Sequence, residues 1–257
     1  MKVAVVFVSH FISDSYLQRY HKLCRDLEGQ YDVYWLFQTD NGISKDPLLC
    51  QGVNLEEFTI ADLNALNYSP ISEYFFGSEH FLDELFFHRH PDYDYLWSIE
   101  YDVVFTGNWN VLFDAFSQND ADMLSAHIAK FETCPSWNWW PSLTFNSADW
   151  LPSEKWVKSF NPIHRYSKKA LHFLDTFLQH DGNSGFSEAL VATVLYNNGY
   201  RLEDFGGEGS FVAPVNRDRF YLQLPGIHIG TLRWRPEYTI EELAKTAIPN
   251  HLFHPVK

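Results

Sequence analysis

Two carboxylates stand one residue apart, Glu100 and Asp102, within the otherwise apolar stretch LWSIEYDVVFTG. Side chains alternate along a β-strand, so both acids would point to the same face. Paired carboxylate oxygens suit a hard divalent cation such as Mg²⁺ or Mn²⁺, and these ions often bridge to the phosphates of a substrate. The alternative is a strand end that has reached solvent, with both acids hydrated. The spacing alone leaves both interpretations open.

The elements around this pair predict an α/β sheet that would position it. Residues 3–8 form a continuous apolar run typical of a strand buried on both faces, residues 15–27 have helical periodicity, and residues 32–37 predict a second strand. Strand, helix and strand in succession form a βαβ unit, which implies parallel pairing. Residues 95–99 predict a further strand with the two acids at its carboxyl end, the edge where ligands bind in open α/β sheets.

The rest of the pattern predicts a single domain with a regular first half, residues 1–127, and a looser second half, residues 128–257. The segment 130–153 is rich in Trp, Pro, Ser and Asn and predicts a loop. Further helices are predicted at residues 79–88, 110–117, 167–179 and 186–198, and further short strands at residues 122–126 and 220–224.

Composition excludes some classes of protein. Hydrophobic residues make up 46% of the 257 residues, which excludes a disordered chain, and the net charge of −14 argues against nucleic acid as a partner. Residues 214–257 carry six basic and four acidic side chains. This local excess of positive charge could bind an anionic ligand. The alternative is a chance distribution of charge. Three cysteines form no disulfide pattern and no stretch is apolar enough to span a bilayer. We expect a cytoplasmic protein, with peripheral association at the inner face of the membrane as a further expectation.

The segment YDYLWSIEYDVVFTGNW resembles the region around the Asp-x-Asp motif of nucleotide-sugar-dependent glycosyltransferases of the GT-A fold. It is most similar to little-characterised bacterial members whose motif reads Glu-x-Asp. The resemblance implies a mostly parallel, Rossmann-like α/β sheet flanked by helices, with a nucleotide-sugar-binding first half and an acceptor-binding second half. It also implies a divalent metal cofactor, Mn²⁺ or Mg²⁺, held by Asp102 and Glu100 against the diphosphate of the donor. Glu100 departs from the usual Asp, and in such variants often only the last acid contacts the metal.

Other positions match the same family in order along the chain. His10, at the end of the first strand, and Asp40, in the turn QTDNG, resemble the edge that binds the nucleotide sugar together with Glu100 and Asp102. The final HPVK resembles the family's C-terminal segment, which implies His254 as a further metal ligand and Lys257 as a phosphate contact. Each of the two has an alternative without a ligand. Asp is common in turns, so Asp40 could have only a structural role. His254 could be a surface residue near a frayed terminus.

The pair Ser187-Glu188 resembles the position where inverting members keep their catalytic acid, which implies Glu188 as the base that deprotonates the acceptor. The alternative is a carboxylate that only stabilises the first turn of its helix. In the loop SWNWWPSLTFNSADW, Trp137, Trp139 and Trp140 are predicted to bind the acceptor, because indole faces stack well on sugars. The alternative is a lid that buries its own aromatic rings.

Two remaining motifs are less specific. His88 and His90 have a spacing seen in metal sites, but the sequence offers no obvious third ligand, and we interpret them as favourable charges at a helix end. The stretch FGGEGS lacks the spacing and context of a phosphate-binding loop and predicts a turn.

The sequence therefore predicts a metal-dependent, inverting glycosyltransferase of the hexosyltransferase type. It would move a sugar from a nucleoside diphosphate sugar to a hydroxyl of a glycan or lipid-linked acceptor, with bacterial surface polysaccharide synthesis as the expected setting. Two alternatives stay open. One is a non-catalytic carbohydrate-binding protein on the same fold. The other is a sugar nucleotidyltransferase, although that class would be expected to show a Gly-rich, basic loop after the first strand, and HFISDSYLQRY has no glycine.

Overall fold

The computed structural model describes residues 1–73, 75–223, 230–246 and 248–257. Its main sheet has seven strands in the order β3-β2-β1-β4-β7-β6-β8. These strands are β1 (Val3–Ser9), β2 (Asp32–Gln38), β3 (Leu55–Phe58), β4 (Tyr95–Glu100), β6 (Met123–Lys130), β7 (Val157–Ser167) and β8 (Leu202–Asp204). All of them run parallel except β7, which is antiparallel to both of its neighbours. The predicted mostly parallel α/β sheet is therefore confirmed.

Helices cover both faces of this sheet. Each longer helix begins and ends within two residues of its predicted bounds. They are α1 (Asp14–Asp26), α2 (Asp46–Cys50), α3 (Ile60–Asn64), α4 (His80–Arg89), α5 (Trp109–Ala115), α6 (Lys168–Leu178), α7 (Ser187–Asn197) and α8 (Ile240–Thr246). The side-chain oxygens of Ser13 and Ser167 accept hydrogen bonds from the first turns of α1 and α6, which fixes where those helices start. In the described residues no helix is both long and apolar enough to cross a membrane.

Alternation along the strands divides the interior into two cores. Ala4 and Val6 of β1 pack towards α4, α6 and α7, whereas Val5 and Phe7 pack towards α1 and α5. Both sides of β1 are therefore buried, which explains the uninterrupted apolar run in its sequence.

Strand β7 is the main element that the sequence did not predict. Its sequence, VKSFNPIHRYS, shows no alternation, and Pro162 lies inside it. The proline falls where the register between β6 and β7 shifts, a position that tolerates the missing N–H. Its polar side chains are buried with partners: His164 lies 3.0 Å from Asp83, and Arg165 donates to backbone carbonyls. Local pattern could not reveal these long-range partners.

The predicted strand at residues 220–224 is wrong for its described part. Residues 220–222 belong to no strand, Gln223 forms only an isolated bridge to Gly230, and Leu224 lies outside the described residues. Instead, a two-stranded sheet pairs β5 (Val104–Phe105) with β9 (Leu252–Phe253). This small sheet lies immediately after the acidic pair and brings the C-terminal segment to it.

Candidate functional site

The acidic pair lies at the carboxyl end of β4, as predicted, but not on one regular strand. β4 ends at Glu100, and the following turn is closed by the Val103 N–H, which donates to the Glu100 carbonyl at 3.0 Å. Asp102 therefore lies in the turn, and strand alternation is not what brings the two acids together. The Tyr101 N–H donates to the Val8 carbonyl at 3.0 Å, which ties this turn to the end of β1.

His254 is the third member of the cluster. The antiparallel pairing of Val104 with Phe253 carries the histidine from the C-terminal segment to the acidic turn. Its Nε2 lies 3.4 Å from Glu100 Oε2 and 3.4 Å from Asp102 Oδ1. Its Nδ1 lies 2.8 Å from the Arg233 carbonyl, and only a protonated Nδ1 can donate there. The neutral imidazole would therefore direct the lone pair of Nε2 at the two carboxylates, which is how metal-binding histidines are usually oriented.

Two observations show that these residues fit a divalent cation. Asp102 is 5% exposed, and its Oδ1 is buried without a hydrogen-bond partner among the described residues. An unpaired buried carboxylate oxygen is costly unless a cation or a donor meets it. One atom each from Glu100, Asp102 and His254 lie within 4.8 Å of one another. Two carboxylates and one imidazole form a ligand set that suits Mn²⁺.

The protonation of His254 is consistent with such a site. Burial lowers the pKa of His254, but the neighbouring Asp102 and Glu100 outweigh burial and raise it to about 10. Without a metal the ring is therefore an imidazolium at neutral pH, and its Nε2 proton lies between the two carboxylates. That proton occupies the place a divalent cation would take.

The last residue adds a cation at the rim. Lys257 Nζ lies 4.0 Å from Asp102 Oδ2 and 3.3 Å from Glu237 Oε1. The Val256 N–H donates to the Asp102 carbonyl at 2.9 Å, so the C-terminal backbone is fixed against the turn. The exposed Lys257 can therefore reach an anionic group bound over the acidic pair.

The two residues predicted for the nucleotide edge have different surroundings. His10 follows β1 at the same edge of the sheet, and its ring lies 5.6 Å from that of Tyr101. Burial lowers the pKa of His10, although Glu100 and Asp102 act in the opposite direction. Asp40 follows β2, and both of its oxygens are engaged: Oδ2 accepts from the Ile60 N–H at 2.7 Å and Oδ1 from the Gln38 side chain at 2.9 Å.

Glu188 lies in the first turn of α7, beside the part of β7 that extends past the end of β4. Its Oε1 accepts from the Asn161 N–H at 3.2 Å. Although part of the side chain meets solvent, burial raises its pKa to about 8; Lys158 opposes this rise, and Glu79 and Glu100 reinforce it. The carboxyl is therefore poised to exchange a proton near neutral pH.

The predicted acceptor-binding rings of the aromatic loop divide into two that are partly buried, Trp137 and Trp139, and one that is fully buried, Trp140. Trp139 stacks on Phe186 with ring centroids 4.3 Å apart and planes 7° apart, directly before Ser187 and Glu188 in the chain. Trp137 lies under the ammonium group of Lys158, at 5.3 Å from its ring centroid. Trp140 is 3% exposed and belongs to the core, where its Nε1 donates to the Cys134 carbonyl.

Three residues near the site had no sequence signal. Glu79 is partly buried, with Oε2 accepting from the Ser187 hydroxyl at 2.7 Å, and desolvation raises its pKa. Lys158 belongs to the unpredicted strand β7. Arg19 of α1 donates to both the Tyr101 carbonyl at 2.9 Å and the Val256 carbonyl at 3.1 Å, so it joins the acidic turn to the C-terminal segment. Their roles arise from contacts distant in sequence, which periodicity cannot show.

Comparisons with known proteins give structural likenesses only. No family model matches the chain, and no curated protein matches it. Solved structures similar to it include mouse xyloside xylosyltransferase 1 in its apo form, at 10% identity and a TM-score of 0.43, covering 79% of this chain and 84% of that one. Another is the galactosyltransferase LgtC with donor and acceptor sugar analogs, at 11% identity and a TM-score of 0.44, covering 95% and 78%.

A third similar structure is 4-diphosphocytidyl-2C-methyl-D-erythritol synthase from Anaerococcus prevotii, at 11% identity and a TM-score of 0.47, covering 82% of this chain and 91% of that one. Two of these three proteins are glycosyltransferases, the class that the sequence resembles. At these identities and TM-scores none of them assigns an activity or a residue role to this chain.

Proposed function

We propose that this protein is a metal-dependent glycosyltransferase that moves a sugar from a nucleoside diphosphate sugar to a hydroxyl of a glycan or lipid-linked acceptor. The observation that carries the proposal is the cluster of Glu100, Asp102 and His254 at the carboxyl edge of the sheet. A buried carboxylate oxygen without a hydrogen bond at that edge, with the His254 imidazole 3.4 Å away and a lysine nearby, suits a cation and the diphosphate it would accompany.

Asp102, His254 and Glu100 would hold the metal, Mn²⁺ or Mg²⁺. When bound, that ion supplies positive charge that stabilises the leaving diphosphate. Lys257 would add a second positive charge, because its ammonium group lies at the rim, 4.0 Å from Asp102. Charge placed in advance where negative charge develops lowers the barrier without reorganisation during the reaction.

His10 and Asp40 are proposed to border the nucleoside. Both follow the carboxyl ends of neighbouring parallel strands, β1 and β2. The ring of His10 is exposed and can stack or donate a hydrogen bond. Asp40 would contact the base or ribose through Oδ1, beside or in place of the hydrogen bond from the Gln38 side chain, because its Oδ2 holds the Ile60 N–H at the start of α3.

Glu188 is proposed to be the base. Loss of the acceptor hydroxyl proton requires a positioned group whose pKa is near the working pH, and burial raises the pKa of Glu188 to about 8. Direct attack of an acceptor activated by one such base would invert the anomeric centre. The reaction would then be a single displacement, in which the oxygen–carbon bond forms as the bond to the diphosphate breaks.

Trp139 and Trp137 are proposed to bind the acceptor, with Trp140 supporting them from the core. The stacked pair of Trp139 and Phe186 directly precedes Glu188, so a sugar resting on this surface would present its hydroxyl near the base. A glycan or lipid-linked sugar in bacterial surface polysaccharide synthesis is the proposed setting, at the inner face of the membrane.

A thermal-shift panel tests the proposal. UDP, GDP, CMP and dTDP are each added with and without Mn²⁺, and a ligand that binds only the folded state raises the melting temperature. We expect one nucleotide to stabilise the protein only with Mn²⁺, and Asp102→Asn to abolish that shift. Stabilisation by simple sugars that ignores both metal and nucleotide would instead support the non-catalytic carbohydrate-binding alternative.

Product analysis separates the two enzyme classes. A glycosyltransferase incubated with the matching nucleotide sugar releases nucleoside diphosphate, whereas a sugar nucleotidyltransferase needs a nucleoside triphosphate and a sugar phosphate and releases pyrophosphate. Release of pyrophosphate under the second conditions would overturn the proposed reaction while leaving the metal site intact.

A further inference from the structure

A second cluster of ligating side chains lies between α4 and α6, distinct from the acidic turn. Glu84 and His88 are one helical turn apart on α4, and Asp175 faces them from α6. One ligand atom from each of the three lies within 4.8 Å of the others. His90 points elsewhere, with its Nε2 3.0 Å from Glu56, so the partner of His88 is not the histidine two residues away.

Glu84 is the unusual member of this cluster. It is 1% exposed, and neither of its carboxylate oxygens has a hydrogen-bond partner in the described part of the chain. A buried carboxylate with two unpaired oxygens beside other acids is unfavourable, and it is compensated when a cation lies between the acids.

The other two side chains of the cluster reach solvent. His88 is 38% exposed and Asp175 is 32% exposed, and His88 Nε2 lies 3.2 Å from Asp175 Oδ1. The Tyr68 hydroxyl donates to the same Asp175 oxygen and so holds the carboxylate in place. Such outer contacts orient metal ligands. The cluster therefore has two partly exposed ligands, His88 and Asp175, one buried ligand, Glu84, and a hydrogen bond that holds Asp175 in place.

We propose that Glu84, His88 and Asp175 bind a divalent transition-metal ion of the Zn²⁺ class and thereby link α4 to α6. The ligand set is one imidazole nitrogen and two carboxylates, which suits Zn²⁺ better than Mg²⁺, an ion that favours oxygen ligands alone. Three protein ligands leave one position for water at the exposed side. The site is independent of the proposed transferase reaction, because none of its residues belongs to the acidic turn.

Chemical modification of His88 tests this site alone. Diethyl pyrocarbonate modifies accessible, unliganded imidazoles, and peptide mass spectrometry reports each histidine separately. With free Zn²⁺ about tenfold above its Kd, only about one site in ten stays empty, so we expect the modification of His88 to slow by about tenfold. His172, exposed on α6 and outside both clusters, is the internal control and should react at an unchanged rate.

Three variants decide the interpretation. Glu84→Gln keeps the shape of the side chain and removes its charge, so we expect loss of the Zn²⁺ protection together with an unchanged or higher melting temperature in chelator. Asp175→Asn should also lose the protection, and it provides the same test if Glu84→Gln fails to fold. Asp102→Asn should keep the full protection of His88. Protection that persists in both Glu84→Gln and Asp175→Asn, or that is absent from the unmodified protein, would overturn the proposed site.

Discussion

Replacing Glu188 by Gln should make the protein more stable at alkaline pH. Burial raises the pKa of this carboxyl from its ordinary 4.5 to about 8. Between these values the folded protein keeps a proton that the unfolded chain has lost, so the free energy of unfolding falls as the pH rises through this window. Gln keeps the shape of Glu and can still accept the hydrogen bond from the Asn161 N–H, but it has no charge to bury.

The size of the effect follows from the pKa shift. Each pKa unit corresponds to about 1.36 kcal/mol, so a shift from 4.5 to about 8 sets an upper value of roughly 5 kcal/mol. Part of the side chain meets solvent, which screens the charge. We therefore expect Glu188→Gln to be more stable than the unmodified protein by about 2–4 kcal/mol above pH 8, and by almost nothing near pH 4.5.

Urea denaturation at a series of pH values measures this difference. Glu132→Gln is the matched control, because it removes the same charge from an exposed position and should leave the pH dependence unchanged. Stability curves of the unmodified protein and Glu188→Gln that stay parallel from pH 4.5 to 9 would refute the argument from burial. If the transferase proposal is also correct, Glu188→Gln should lower kcat by about 10²–10⁴-fold.

Three further changes test other parts of the structure. His254→Ala should weaken Mn²⁺ binding by about tenfold or more in titration calorimetry, whereas His251→Ala should not, because the Nδ1 of His251 binds the Pro249 carbonyl and its ring is outside the cluster. Leu190→Ala on α7 should lower the free energy of unfolding by about 2–5 kcal/mol, since this fully buried side chain packs against the sheet; a loss below 1 kcal/mol would contradict that packing. Under the proposed function, Trp139→Ala should raise the KM for the acceptor, while Trp150→Ala at a 65% exposed position should not, and equal effects would exclude a specific acceptor surface.

Local sequence determined most of the sheet and the helices. The apolar runs of β1 and β4 predicted central parallel strands because both faces of such strands are buried. The 3.6-residue periodicity of α1 predicted residues 15–27, one residue from its actual bounds at either end. The acidic pair was also visible, since two carboxylates beside a buried strand are expensive without a partner.

The tertiary structure alone decided which side chains meet. His254 reaches Asp102 only because β5 and β9 pair across nearly 150 residues of sequence, as the hydrogen bond between Thr106 and His251 shows. Strand β7 escaped prediction because its buried polar residues are compensated by partners far away in the chain.

The same distinction applies to the second cluster. The sequence contained His88 but offered no third ligand, because Asp175 lies on another helix and Glu84 looks like an ordinary helical glutamate. Periodicity describes how one segment faces the core, whereas a binding site depends on how several segments face one another. The sequence thus determined the scaffold and the acidic motif, and packing decided the third ligand, the environment of Glu188 and the side-chain cluster between α4 and α6.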